Sequence, residues 1–256
     1  LTGDWEFAWT DETPPDARSA TALTAAGLTL RGCHVPGNLE LDLQAAGQIG
    51  DPFVGMNMAG LAFLERAHAW YVRRFDLPQR PAGRAELVFD GLDCYADVYL
   101  NGVHVGSGDN MLVPQVFDVS AALAAQNELV VHLRPAVQEA RQFDYPPLLG
   151  ALRSNVESLY VRKAPHMYGW DIMPRAVSAG IWRPVRLQFR PTEHLDDVYL
   201  QTCSLSATQD RADLALTYRA HLDPTPGAVY ALRLIATCGA SSFTLEERLL
   251  FEAGTA

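Results

Sequence analysis

The residues best suited to chemistry in this 256-residue chain crowd into one stretch, HMYGWDIMPRAVSAGIWRPV, residues 166–185. Asp171 directly follows Trp170, placing an acceptor-only carboxylate beside a flat apolar ring with a single N–H donor. Two prolines and two glycines in the same twenty residues forbid a regular helix, and no 3.6-residue hydrophobic period survives. An acid and two large aromatics therefore sit on an irregular loop. Contact with a ligand competes there with two plainer readings, Asp171 as a turn former and Trp170 as packing against a sheet edge. Seven residues before Trp170 lies Lys163, the single lysine in a chain with 19 arginines. A lone ammonium against that bias points to a need for a compact, three-donor charge. Arg162 and Lys163 are expected to orient Asp171, to reach a ligand directly, or to stand as solvated charges at a strand edge. His166 reads as a packed or surface residue rather than a general acid.

Other chemistry is largely excluded. Cys33, Cys94, Cys203 and Cys238 lie at long spacings, with no CxxC pair and no Cys/His cluster. They support neither a zinc site nor a disulfide framework and read as buried small hydrophobes. No DxDxDG loop is present, and neither a metal nor another cofactor is expected. A net charge of −10 argues against nucleic acid or an anionic membrane as partner. No apolar run approaches the roughly 18 residues of a membrane span. No basic segment followed by an apolar core marks a signal peptide, so the cytoplasm is the default location. The chain begins at Leu1 rather than methionine, and residues upstream are expected to have been removed.

The elements that must position the loop are mostly short strands. Segments 69–78, 85–92, 96–106, 127–135 and 181–191 are rich in Val, Leu, Tyr and Phe, and each ends in a Gly, Pro, Asn or Asp signal. Asn101-Gly102, between Val98-Tyr99-Leu100 and Val103-His104-Val105, predicts a tight hairpin. Helical patterning is confined to LELDLQAAG (39–47) and VSAALAA (119–125). SGDNM (107–111) reads as a tight turn in which Asp109 and Asn110 bond their own backbone, and Trp182 reads as structural on the 181–191 strand. The fold class is all-β, a sandwich. A boundary is expected at Pro191, giving domains 1–191 and 192–256. Beyond it, 195–207, 212–223, 228–239 and 244–253 alternate as half-buried strands do. An immunoglobulin-type sandwich takes seven strands and roughly 100 residues, so a second domain of four strands is expected to be partial. Its uncovered edge is expected either to pair across a homodimer or to be the least ordered part of the chain.

Four segments carry a resemblance. HVPGNLELDLQAAGQIGDPFVGMN (34–57), WYVRRFDLP (70–78), LVFDGLDCYADVYLNGVHVGSGDNMLVPQVFDVS (87–120) and VRKAPHMYGWDIMPRAVSAGIWRPVRL (161–187) occur in this order. Together they resemble the N-terminal part of the β-mannosidases of glycoside hydrolase family 2. The resemblance implies a galactose-binding-like jelly roll, then an immunoglobulin-like sandwich, then a catalytic (β/α)-barrel further along the polypeptide. The family motif at the loop reads Trp-Asp-Trp-Gly-Pro and reaches into the mouth of the barrel. It implies that Asp171 accepts hydrogen bonds from sugar hydroxyls and that Trp170 walls the pocket, with Lys163 and Arg162 beside them. A carboxylate can accept two hydroxyl hydrogens at once, and an indole offers an apolar face to the C–H groups of a pyranose. Here the motif reads Trp170-Asp171-Ile172-Met173-Pro174. Ile172 cannot donate a hydrogen bond and Met173 adds a side chain, which sets this chain apart from the usual mannoside pattern.

Both catalytic glutamates of the family lie on the barrel, so no catalytic residue is expected in this chain. Asn127-Glu128 opens a strand and is rejected as the acid/base, because a barrel of about 250 residues cannot fit. The expectation is a non-catalytic N-terminal part of a retaining glycosidase. Its partners would be a terminal β-mannoside or related glycan and the C-terminal barrel of the same polypeptide. The alternative is a free-standing carbohydrate-binding module with no hydrolase activity.

Overall fold

Apolar residues that alternate with polar ones, punctuated by tight turns, fold as antiparallel sheets, and this chain does so twice. The computed structural model describes residues 1–146, 155–222 and 229–249, and the chain divides into two units, Leu1–Pro191 and Thr192–Ala256. The first unit contains nine strands: β1 (Gly3–Thr10), β2 (Arg31–Val35), β3 (His68–Asp76), β4 (Arg84–Phe89), β5 (Tyr95–Leu100), β6 (Val103–Gly108), β7 (Gln115–Asp118), β8 (Gln126–Arg134) and β9 (Val185–Arg190). They form an antiparallel six-stranded sheet, β2-β1-β3-β8-β5-β6, and a three-stranded sheet, β7-β4-β9. Asn101 (φ 53°) and Gly102 (φ 79°) both adopt left-handed backbone, the requirement of the two-residue hairpin turn expected there.

Pairing register builds the core. Phe7 lies opposite Tyr71, Tyr71 opposite Val131, and Val131 opposite Val98, a row across one face of the large sheet. That row joins Leu87, Phe89, Phe117 and Val185 of the small sheet in a single buried cluster. The opposite face of the large sheet is also covered. There Trp70, Val72 and Val130 pack with Ala20 and Leu23 of α1 (Ala20–Ala25), whose first turn is capped by Ser19. Coverage on both faces explains why His68–Val72 is buried without interruption instead of alternating.

Helix α2 (Leu39–Ala45) forms where its pattern predicts. Asn38 caps it by accepting from the Leu41 N–H at 3.0 Å, Leu39 and Leu43 share its buried face, and Gly47 (φ 70°) follows its end. Two expectations fail. Residues 119–125 form turns, because the Asn127 amide holds Ala124 by both its N–H (2.9 Å) and its carbonyl (2.7 Å), and closes the chain on itself. The strand expected over 181–191 begins only at Val185. Pro184 supplies no N–H, and Trp182 instead donates from Nε1 to the Met111 carbonyl at 3.3 Å. Cys33 is half-buried and Cys94 buried, whereas Cys203 and Cys238 are exposed, so they are not all the core residues expected.

The second unit consists, among its described residues, of two antiparallel pairs. β10 (His194–Leu205) pairs with β11 (Ala212–His221), and β12 (Ala231–Cys238) with β13 (Ser241–Arg248). Leu200, Leu214, Leu216, Leu232, Leu234 and Phe243 line a cavity of about 510 Å³. None of the described residues between 192 and 249 is buried. Residues 223, 228 and 250–253 of the expected strands lie outside the described residues.

Candidate functional site

The Trp-Asp loop is held from beneath by a buried ion pair. Lys163 has a side chain with no exposed surface, and its ammonium donates to both carboxylate oxygens of Asp93 and to the Ser178 carbonyl. Ser178 donates from its hydroxyl to Glu40 on α2, so one network ties residues 163 and 178, at the two ends of the loop, to α2 and to Asp93. Burial pushes the Glu40 and Asp93 carboxyls above their usual range, and the Lys163 ammonium acts on both in the opposite direction. Asp42, two residues along α2, accepts from the buried Tyr71 hydroxyl at 2.8 Å and is raised by burial to about 6.

Backbone packing fixes the rest of the frame. Gly180 exchanges both backbone hydrogen bonds with Asp93, at 3.2 and 2.9 Å. A Cβ on Gly180 would lie 2.5 Å from the Gly37 carbonyl oxygen, so this close approach requires glycine. Val161, Tyr168 and Val177 of the loop are buried in a small cluster with Cys94, Met111, Val137 and Ala140. Arg175 clamps the loop outward, donating from Nε and Nη2 to the two Glu65 oxygens at 2.6 and 2.9 Å, a bidentate pair. Its guanidinium also stands 5.5 Å over the Tyr168 ring.

On this frame stands a two-residue hairpin. Trp170 and Met173 exchange backbone hydrogen bonds at 3.0 and 3.1 Å, leaving Asp171 and Ile172 at the tip. Gly169 (φ 89°, ψ 149°) provides the bend into it from the 3-10 turn Pro165–Tyr168. Asp171 is exposed, Trp170 is 73% exposed and Ile172 80%. Exposed aromatic and aliphatic side chains this large, next to a solvated acid, form a surface suited to a ligand with both hydroxyl and C–H faces. Nearby, Asn38, Glu40, Phe53, Met58, Ala176 and Ser178 line a depression of about 130 Å³, with Phe53 itself 80% exposed.

The four residues singled out by sequence thus separate. Trp170 and Asp171 are adjacent and exposed on the hairpin, Asp171 at its tip and Trp170 in the pair that closes it. Arg162 is exposed, with its carbonyl accepting from the Met111 N–H at 3.0 Å. Lys163 is engaged by Asp93 and lies wholly inside, a place that suits holding the loop and not touching a ligand. His166 is exposed on the 3-10 turn. The tight turn expected over 107–111 lies further along: Ser107 and Gly108 end β6, and Asn110 accepts from the Leu112 N–H at 2.9 Å. Glu128 accepts from the Ala20 N–H and pairs with Arg74, a structural use of that acid. Glu40, Asp42, Asp93 and Ser178 were not anticipated, since their partners lie far away along the chain.

Residues 5–183 match the family model described as glycosyl hydrolase 2 galactose-binding domain-like. A β-mannosidase B of Thermothelomyces thermophilus is 35% identical over 207 residues, covering 79% of this chain and 23% of that protein. A β-mannosidase B of Emericella nidulans is 32% identical over 194 residues, 73% of this chain and 22% of that protein. The chain therefore spans about a quarter of the length of these curated relatives. Among solved structures, a β-D-mannosidase from Dictyoglomus thermophilum superposes with a TM-score of 0.77 at 27% identity, over 97% of this chain and 29% of that one. The exo-chitosanase of Amycolatopsis orientalis shares the fold, with a TM-score of 0.65 at 18% identity over 96% of this chain and 27% of its own.

Proposed function

Because the chain belongs to the glycosyl hydrolase 2 galactose-binding domain-like family, we propose that it is the non-catalytic, substrate-facing part of a β-mannosidase-like glycosidase. In this reading a terminal β-linked sugar is cleaved by retaining double displacement on a barrel elsewhere in the same polypeptide. That mechanism needs two carboxylates about 5 Å apart, one acid/base and one nucleophile, and the barrel supplies both. This chain supplies one wall of the pocket. Asp171 accepts hydrogen bonds from sugar hydroxyls, and Trp170 presents its indole face to the C–H groups of the ring. Arg162 is an outer contact, while Lys163 acts through Asp93 to hold the loop. The Ile172-Met173 pair shapes which sugar is preferred.

One observation carries this reading. The hairpin at 170–173 exposes an acid at its tip and an indole at its closing pair, although the loop beneath it is pinned by a buried ion pair and a bidentate arginine clamp. A loop that merely connects strands needs no such support, whereas a contact that must recognise a sugar does. Among the described residues, no helix is long and apolar enough to cross a membrane.

The test uses the full-length enzyme. Asp171→Ala should lower kcat/KM on an aryl β-mannoside by about 10²-fold, roughly 3 kcal/mol for a lost charged acceptor. Stability should change by less than about 0.5 kcal/mol, because the side chain is exposed. The 256-residue chain alone should hydrolyse nothing. An unchanged kcat/KM in the variant would return Asp171 to the role of a solvated turn residue.

A further inference from the structure

In the second unit, β10 and β11 bring together three side chains that the proposed sugar site does not use. His194, the first residue of β10, pairs directly with His221, the last residue of β11. Asp196 lies two residues along β10 and so shares their face of the pleat. Its Oδ2 lies 2.9 Å from His221 Nε2 and 3.4 Å from His194 Nε2. The ligand-capable atoms of all three fall within 4.8 Å of one another. Bonds of about 2.0–2.1 Å to a tetrahedral ion put neighbouring ligand atoms roughly 3.3 Å apart. Two separations are already close to that value.

Two further features suit a metal. His194 Nδ1 lies 3.2 Å from the Thr192 carbonyl oxygen, the contact of an Nδ1–H donor. That bond makes Nε2 the basic nitrogen and holds the ring with Nε2 toward Asp196, as the outer partners of metal-bound histidines do. The strand register also shifts directly after Asp196, with Asp197 in left-handed backbone (φ 47°), and such a bulge re-aims the side chains beside it.

We propose that His194, Asp196 and His221 bind one zinc ion through two imidazole nitrogens and one carboxylate oxygen, with water completing the coordination. Mixed imidazole and carboxylate ligands suit zinc and its neighbours in the transition series, whereas magnesium and calcium take oxygen ligands throughout. The ion would staple the ends of β10 and β11. An isolated strand pair is marginal in water, and a ligand that binds only the folded form stabilises it by mass action.

The 256-residue protein, stripped with chelator, is titrated with zinc chloride by calorimetry, and cobalt(II) is added separately as a spectroscopic probe. We expect one zinc per chain, no magnesium binding, and visible bands of four-coordinate cobalt. Asp196→Asn and His221→Ala should each weaken zinc binding at least tenfold, while His104→Ala, an exposed histidine on β6, should not. Circular dichroism of the stripped variants checks their fold, and should a variant fail to fold, the cobalt spectrum of the unaltered protein decides alone. Absence of stoichiometric zinc, six-coordinate cobalt bands, or equal affinity in folded His221→Ala and the unaltered protein would overturn the proposal.

Discussion

Lys163 is where a single residue carries most of the loop's support. Its ammonium lies inside the protein against Asp93, so removing either partner leaves the other buried without a counter-charge. Lys163→Met should therefore destabilise the first unit by about 3–5 kcal/mol, measured by chemical denaturation. Replacing both, as Asp93→Leu with Lys163→Met, should recover much of that loss, because no uncompensated charge remains. Equal destabilisation in the single and double variants would show that packing, and not charge, is what Lys163 contributes. The sequence marked this lysine as special through its isolation among arginines. It did not reveal that the side chain is buried, because Asp93 is 70 residues away and Ser178 contributes a backbone carbonyl that no residue type encodes. The exposure of Asp171 was legible for the opposite reason, since an irregular loop rich in glycine and proline is written in local sequence.

Among the elements, the hairpin at 170–173 depends on how the chain enters it. Gly169 takes φ 89° and ψ 149°, and a Cβ there would stand 3.1 Å from the Arg175 Cβ. Gly169→Ala should cost about 1–3 kcal/mol of stability through backbone strain. In the full-length enzyme it should also lower kcat/KM, because the hairpin carrying Trp170 and Asp171 is displaced. Melting temperature and kinetics on the same sample check both parts, and full activity with lowered stability would separate the hairpin from catalysis. Strands with strong turn signals, such as β5 and β6 around Asn101-Gly102, were legible at this scale. Strand β2 was not, because Arg31–Val35 mixes small and charged residues and is defined by its pairing with β1; β1, by contrast, does carry a strand signal, with Trp5, Phe7 and Trp9 alternating with Asp4, Glu6 and Ala8. The 119–125 patch shows the converse. Its alanines have helical propensity, yet a side-chain clamp from Asn127 overrides it.

Taken as a whole, the molecule divides into a unit with a buried core and a unit in which no described residue is buried, and the two should respond differently to stress. In the first unit, burial pushes His68 and His132 down to about 4, with the Arg134 charge adding to the effect on His68. An unfolded chain would protonate them near 6.5, so the unfolded state binds more protons between about pH 4 and 6.5, and stability is lost as pH falls through that window. Asp42, raised to about 6, has the opposite sign, and its contribution is lost as pH rises from 3.8 through 6. Melting temperatures across this range should show a flatter acid loss for His132→Gln and a steeper one for Asp42→Asn. Parallel profiles for all three proteins would mean that these groups do not govern the response. The second unit faces a more basic problem. None of its described residues is buried, and apolar side chains such as Leu200, Leu232 and Phe243 line an open cavity between two strand pairs. Each such side chain left in water forgoes roughly 1.5–3 kcal/mol, and two-stranded pairs have little else to hold them. Dilute 256-residue protein treated with a trace of protease should therefore be cut first beyond Pro191, leaving a fragment close to 1–191 that keeps its strand signature by circular dichroism. Protein at higher concentration should resist longer if the open strand edges pair across a dimer. A second unit that resists protease as long as the first, independent of concentration, would mean that its two strand pairs close into a core of their own.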